Sequence, residues 1–126
     1  MNGEYILIEQ PGTFEKEINK ILEASTIGNY FYPPEIADLN GIASRYWNSD
    51  YTDYAREVYE LGIAYYPHYF EFYLSLYYLN LDIDYEKAKY YLDKSEWLVK
   101  TIEKESIYIS EILQEIKDEK SKNGWD

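Results

Sequence analysis

A chain of 126 residues with 24 acidic side chains, 12 basic ones and no cysteine has the length of one domain and a strongly acidic character. The missing cysteines exclude disulfides, thiolate nucleophiles and cysteine-ligated zinc, and a net charge of −12 argues against nucleic acid and anionic membranes as partners. No apolar run approaches the roughly 18 residues of a membrane helix, and Met1-Asn2-Gly3-Glu4-Tyr5 lacks the basic start of a secretory signal, so a cytoplasmic protein is expected.

The charge is unevenly spread. Residues 1–20 contribute −2, residues 21–86 contribute −9, and residues 87–126 contribute −1, with eight lysines set against nine acids. Thirteen of the 17 tyrosines also fall between Tyr30 and Tyr85. The middle of the chain is therefore acidic and aromatic, a combination that repels phosphates and attracts basic surfaces.

In chain order, Glu4-Tyr5-Ile6-Leu7-Ile8-Glu9 reads as an edge strand or extended arm before the Pro11-Gly12 break. Thr13 is suited to cap a helix over 14–25, in which Phe14, Ile18, Ile21 and Leu22 recur at helical spacing. Gly28-Asn29 ends it, and Tyr30-Phe31-Tyr32-Pro33-Pro34 reads as an extended connection. A second helix opens near Pro34 or Glu35 with the stripe Ile36, Leu39, Ile42, Ala43 and Tyr46. After a turn at Asn48-Ser49-Asp50, where Asp50 and Asp53 read as N-capping residues, a third helix carries Ala55, Val58, Tyr59 and Gly62 until Pro67 stops it.

The fourth helix, 68–81, is apolar on nearly every side, which means burial on more than one side or a face offered to a partner. Asp84 is suited to cap a fifth helix starting at Tyr85. A turn is expected over 100–103, then a sixth helix with Ile109, Ile112, Leu113 and Ile116 inward, and a frayed end over 121–126. The reading is all-α, with no alternation of strands and helices.

Two stretches match each other. Ile42, Ala43 and Tyr46 correspond to Leu74, Ser75 and Tyr78 at a spacing of 32 residues, and Ala55, Tyr59, Gly62 and Pro67 to Ala88, Leu92, Ser95 and Lys100 at a spacing of 33. Such a period marks helical hairpins in which small residues let two helices approach and large ones fill the gaps beside them. Asp84-Tyr85-Glu86-Lys87-Ala88, together with the small, large, small and proline spacing of Ala55, Tyr59, Gly62 and Pro67, resembles the tetratricopeptide repeat family over residues 35–100. The family's common glycine is replaced by Ala43 and Ser75, and its final proline by Lys100 in the second copy.

The resemblance implies a single domain built as a stack of antiparallel hairpins with about six helices. Its parts are an arm at 1–13, an N-terminal helix and loop at 14–34, repeats at 35–67 and 68–100, and a C-terminal capping helix with a frayed tail at 101–126.

Catalytic patterns are absent from the sequence: His68 stands alone, no phosphate-binding glycine loop occurs, and Asp82-Ile83-Asp84-Tyr85-Glu86 lacks the glycine of a calcium loop. The chain is therefore expected to be no enzyme and to hold no metal or cofactor.

The resemblance implies a partner-binding face lined by Asn40, Ser44, Trp47 and Asn48 in the first repeat and by Phe72, Tyr73, Leu76 and Asn80 in the second. No lysine lies between Lys20 and Lys87, so the carboxylate clamp of some relatives is not expected. The leading reading is an adaptor that binds a basic or amphipathic protein segment through an aromatic, acidic face. The alternative is a dedicated inhibitor, such as an immunity protein, antitoxin or anti-defence factor, whose acids plug a basic site. Self-association through the apolar helix 68–81 is compatible with both. If Trp47, Phe72, Tyr73 and Leu76 are binding anchors they stand at the surface; if the C-terminal helix folds back over helix 68–81, they belong to the core.

Overall fold

The computed structural model describes residues 33–102, 104 and 106–125, together with Asn19, Lys20, Glu23 and the backbone of Thr26, Ile27, Tyr30 and Phe31. Its chain divides into two compact units, Met1–Tyr66 and Pro67–Asp126, a border that falls where the first sequence repeat ends. The arm at 1–13 and most of the expected helix 14–25 lie outside the described residues, although Asn19, Lys20 and Glu23 have helical backbone.

Among the described residues the fold is all-α, with five helices: α1 (Ile36–Asn48), α2 (Thr52–Tyr65), α3 (Phe70–Asn80), α4 (Tyr85–Lys100) and α5 (Ile107–Asn123). One departure precedes them. The start of the expected extended connection, β2 (Tyr30–Phe31), pairs antiparallel with β1 (Thr26–Ile27), which precedes the Gly28-Asn29 break; Thr26 faces Phe31 and Ile27 faces Tyr30. The Gly-Asn dipeptide between them is a hairpin signal as well as a helix terminator.

In the first unit α1 and α2 form a hairpin. Leu39, Ile42, Ala43 and Tyr46 are the buried stripe of α1, and Ala55, Val58, Tyr59 and Gly62 that of α2. The connection is not capped as the sequence implies, because the residue before α2 is Tyr51 and no side chain caps that helix. Asp50 instead takes a left-handed conformation with φ 65°. That turn lets Tyr51 N–H reach the Tyr46 carbonyl at 2.9 Å and Asp50 N–H the Trp47 carbonyl at 3.2 Å, the pair of hydrogen bonds that closes a Schellman helix end. Asp53 lies in the first turn of α2 and pairs with Arg56.

In the second unit α3 and α4 form another hairpin and α5 packs against it. Asp84 caps α4 as expected, accepting from Lys87 N–H at 3.0 Å. Ser95, which stands where the first repeat has Gly62, is buried and donates to the Phe70 carbonyl at 3.3 Å. Ser106 caps α5 by accepting from Ile109 N–H at 3.1 Å.

The end of α5 is not frayed. Gly124 takes φ 72°, Gly124 N–H donates to Ser121 O at 3.1 Å and Trp125 N–H to Lys120 O at 2.8 Å. Glycine reaches that conformation without a Cβ penalty, so the helix continues through Asn123 and then turns back. Trp125 is thereby brought against Tyr77 and Tyr85, with ring centroids 6.1 and 4.7 Å away.

Candidate protein-binding surfaces

The residues singled out by the repeat register part into two groups. Asn40, Ser44, Trp47 and Asn48 share one face of α1, with Ser44 and Asn48 exposed and Asn40 and Trp47 half-buried. Trp47 meets Tyr59 edge-on at 6.2 Å, and Gly41 beside them opens onto free space. Phe72, Tyr73, Leu76 and Asn80 lie on α3 in the second unit, and all four are buried. Their environment explains why. Tyr73 packs its ring against Tyr91 of α4 and donates its hydroxyl to the Pro67 carbonyl at 2.9 Å. Phe72 meets Tyr69 at 4.7 Å, and Asn80 donates to the Leu76 carbonyl at 2.7 Å.

The C-terminal helix does fold back onto α3. Tyr77 donates to Glu119 at 2.7 Å and Tyr78 to Glu115 at 2.5 Å, while Glu71 accepts from Tyr69 at 2.7 Å and from Tyr108 at 2.8 Å. Asn123 completes the seam by donating to the Tyr77 oxygen at 2.9 Å. Burial, then the bonded carboxylates, push the Tyr77 and Tyr78 phenols well above their usual range, and the same causes push Tyr108 up to about 12. Tyr77, Tyr78 and Tyr108 thus have a structural use, since a phenol supplies the proton that a carboxylate at a helix seam needs.

A second polar cluster joins α4 to α5. Lys120 Nζ lies 2.9 Å from Asp93 and 2.7 Å from Glu96, and Lys89 adds a contact to Asp93 at 3.0 Å. Burial opposes charge at Asp93, but the lysine bonds outweigh it and hold the carboxyl below its usual range. At Glu96 the Lys120 bond is the leading cause of the same shift.

The large apolar side chains left in water lie elsewhere than the sequence register indicates. Tyr90 and Trp97 on α4 are 58% and 57% exposed, Ile102 is 40% exposed and Ile107 79%. The Lys94 ammonium sits 4.7 Å from the Trp97 ring. Of the expected inward positions on α5, Ile112 and Ile116 are buried, whereas Ile109 and Leu113 are half-buried and line an open groove of about 840 Å³. Its walls include Val99, Lys100, Ile102, Lys104 and Ile107. Sequence periodicity treats every apolar residue of a helical stripe as core; only the packing partners show how much of the stripe is covered.

Among the described residues no group of three or more histidine, cysteine, aspartate or glutamate side chains is arranged to hold a metal ion, and no helix is long and apolar enough to cross a membrane. No known protein family, curated protein or solved structure matches the chain.

Proposed function

We propose that this chain is a non-catalytic interaction module of tetratricopeptide-like hairpins, holding a basic or amphipathic segment of another protein against the face of α1. The observation that carries this reading is the alignment of Asn40, Ser44, Trp47 and Asn48 on one helix face in or near solvent, with Trp47 as an aromatic anchor. The charge of the same unit favours a basic partner: Glu35, Asp38, Asp50, Asp53 and Glu57 are exposed, whereas Arg45 and Arg56 are half-buried. Phe72, Tyr73, Leu76 and Asn80 support the module as core residues of the second hairpin.

The exposed acids also favour a second reading, the acidic inhibitor of a basic active or nucleic-acid-binding site. Salt separates the two. An electrostatic plug loses association rate steeply between about 50 and 200 mM salt, while an aromatic anchor is largely indifferent to it.

The test begins with a partner cross-linked in the native host and purified, whose binding is then measured by calorimetry. Ser44→Arg and Trp47→Ala should each weaken it by about tenfold or more. Ser44 is exposed, so its substitution leaves folding intact. Binding that ignores both substitutions rejects the α1 face.

A further inference from the structure

We infer that the rings of Tyr85, Trp125, Tyr77 and Tyr78 form a one-electron relay, through which an oxidant at the surface of the second unit is reduced at the expense of Tyr78. The inference begins with what the chain offers an oxidant. It has no cysteine and one methionine against 17 tyrosines and three tryptophans. The sulfur groups that usually absorb oxidising equivalents are almost missing, so aromatic rings supply the electrons. Four of those rings stand in file. Tyr85, at the start of α4, is 47% exposed, and its ring centroid lies 4.7 Å from that of half-buried Trp125. Trp125 lies 6.1 Å from the fully buried Tyr77, and Tyr77 lies 4.8 Å from Tyr78. Every spacing is that of an aromatic pair in contact, so an electron vacancy made at the exposed end has a continuous path inward.

Proton geometry then selects the terminus. A phenol that loses an electron becomes a strong acid, so its oxidation is favourable only where a base stands within hydrogen-bond reach to take the proton. Tyr77 donates to Glu119 at 2.7 Å and Tyr78 to Glu115 at 2.5 Å. The two carboxylates differ. Glu119 also meets Lys122 Nζ at 3.1 Å, a positive charge that opposes neutralising it. Glu115 takes part in the shorter bond, as short as charge-assisted O–H···O⁻ pairs become. The vacancy therefore passes through Tyr77 and rests on Tyr78. In the forward step Tyr78 loses one electron along the relay and its proton to Glu115, and the oxidant gains the electron. What remains is a neutral phenoxyl radical beside a carboxylic acid. Reversal takes one electron from a soluble reductant such as ascorbate, which becomes its own radical and releases its proton to water, while the Glu115 proton returns to the phenol. This chemistry needs no partner protein and is independent of the α1 face.

The experiment exposes the full chain to flash-generated tris(bipyridine)ruthenium(III), a cationic one-electron oxidant that a net charge of −12 attracts. Transient absorbance and freeze-quench electron paramagnetic resonance follow the radicals. A neutral tyrosyl radical should outlive those of the exposed tyrosines, form more slowly in deuterium oxide, and disappear on adding ascorbate. Tyr78→Phe should abolish this long-lived signal. So should Glu115→Gln, which keeps an oxygen to accept the phenol bond but cannot take its proton, and Trp125→Phe, which keeps a ring but not a readily oxidised one. Tyr108→Phe removes a phenol–carboxylate pair that lies outside the file and should leave the signal intact. Circular dichroism checks the fold of each variant. A long-lived signal that survives any of the first three substitutions in a folded chain, or that Tyr108→Phe removes, overturns the inference. Tyrosyl signals that all decay alike would overturn it as well, because oxidation would then be confined to exposed rings.

Discussion

Tyr78 and Glu115, 37 residues apart in the chain, meet through a hydrogen bond of 2.5 Å that ties α5 to α3. The bond joins a half-buried phenol to a half-buried carboxylate. Neither group keeps full access to water, so each depends on the other.

Removing the phenol oxygen should therefore do more than delete one hydrogen bond. Tyr78→Phe leaves Glu115 without its donor and should destabilise the chain by about 1–2 kcal/mol. Adding Glu115→Gln should restore part of the loss, as a double-mutant cycle in urea will show. The alkaline limb carries the same signature. The folded Tyr77 and Tyr78 phenols titrate above their unfolded value. Their contribution is thus complete below about pH 10 and is lost as pH rises through the folded values. Ultraviolet absorbance of tyrosinate should show these tyrosines ionising only as the chain unfolds; early ionisation of all 17 would contradict the seam.

Lys120 governs the acid limb. Asp93 and Glu96 have lowered folded values. The stability they contribute is present above their unfolded range near pH 4 and declines as pH falls through the folded values. Lys120→Met should cost about 1–2 kcal/mol at neutral pH, and the gap from the parent chain should narrow on acidification. A constant gap in melts from pH 7 to about pH 2 would mean that the ion cluster contributes nothing.

Ala43 and Ala88 are fully buried, on α1 and α4 respectively. Leucine at either position should overpack its hairpin and destabilise by about 1–3 kcal/mol. Neutral melts for both variants would break the equivalence of the two hairpins on which the repeat reading depends.

Asp50 offers the opposite test. Its left-handed backbone strains a residue that has a Cβ, so Asp50→Gly should raise stability by about 0.5–1 kcal/mol if the turn is as described. A loss on that substitution would show that the aspartate side chain does something the backbone geometry does not require.

Periodicity was legible wherever one face of a helix met one neighbour. Leu39, Ile42, Ala43 and Tyr46 on α1, and Ala55, Val58, Tyr59 and Gly62 on α2, are buried in the pattern their spacing predicts. The Asp84 cap was equally readable, because capping is local chemistry. Coverage was not readable. The apolar α3 allowed either a core or an open face, and the choice depends on α5, whose attachment rests on tyrosine–carboxylate pairs between 37 and 42 residues apart. No sequence rule pairs Tyr77 with Glu119. The same blindness hid the groove, since Ile109 and Leu113 have the spacing of core residues and yet are half-buried, lining the groove rather than the core. From sequence the stretch 121–126 reads as frayed, because a left-handed glycine closure is set by backbone geometry that residue types alone do not display. The Trp125 amide bond shows the closed end.

The choice of phenols over ammonium groups along the α3–α5 seam has a consequence for the protein's tolerance of its surroundings. A lysine–carboxylate seam loosens as dissolved ions screen it, whereas a neutral donor bound to a carboxylate has little net attraction to screen. On its α3 side the third helix of the second unit is fastened by Tyr77, Tyr78 and Tyr108 in a way that salt screens little, and the mutual repulsion of a chain at −12 relaxes in the same solution. Of the two attachments of that helix, the phenol seam on its α3 side is therefore the one that salt spares, and the Lys120 cluster on its α4 side the one that salt loosens.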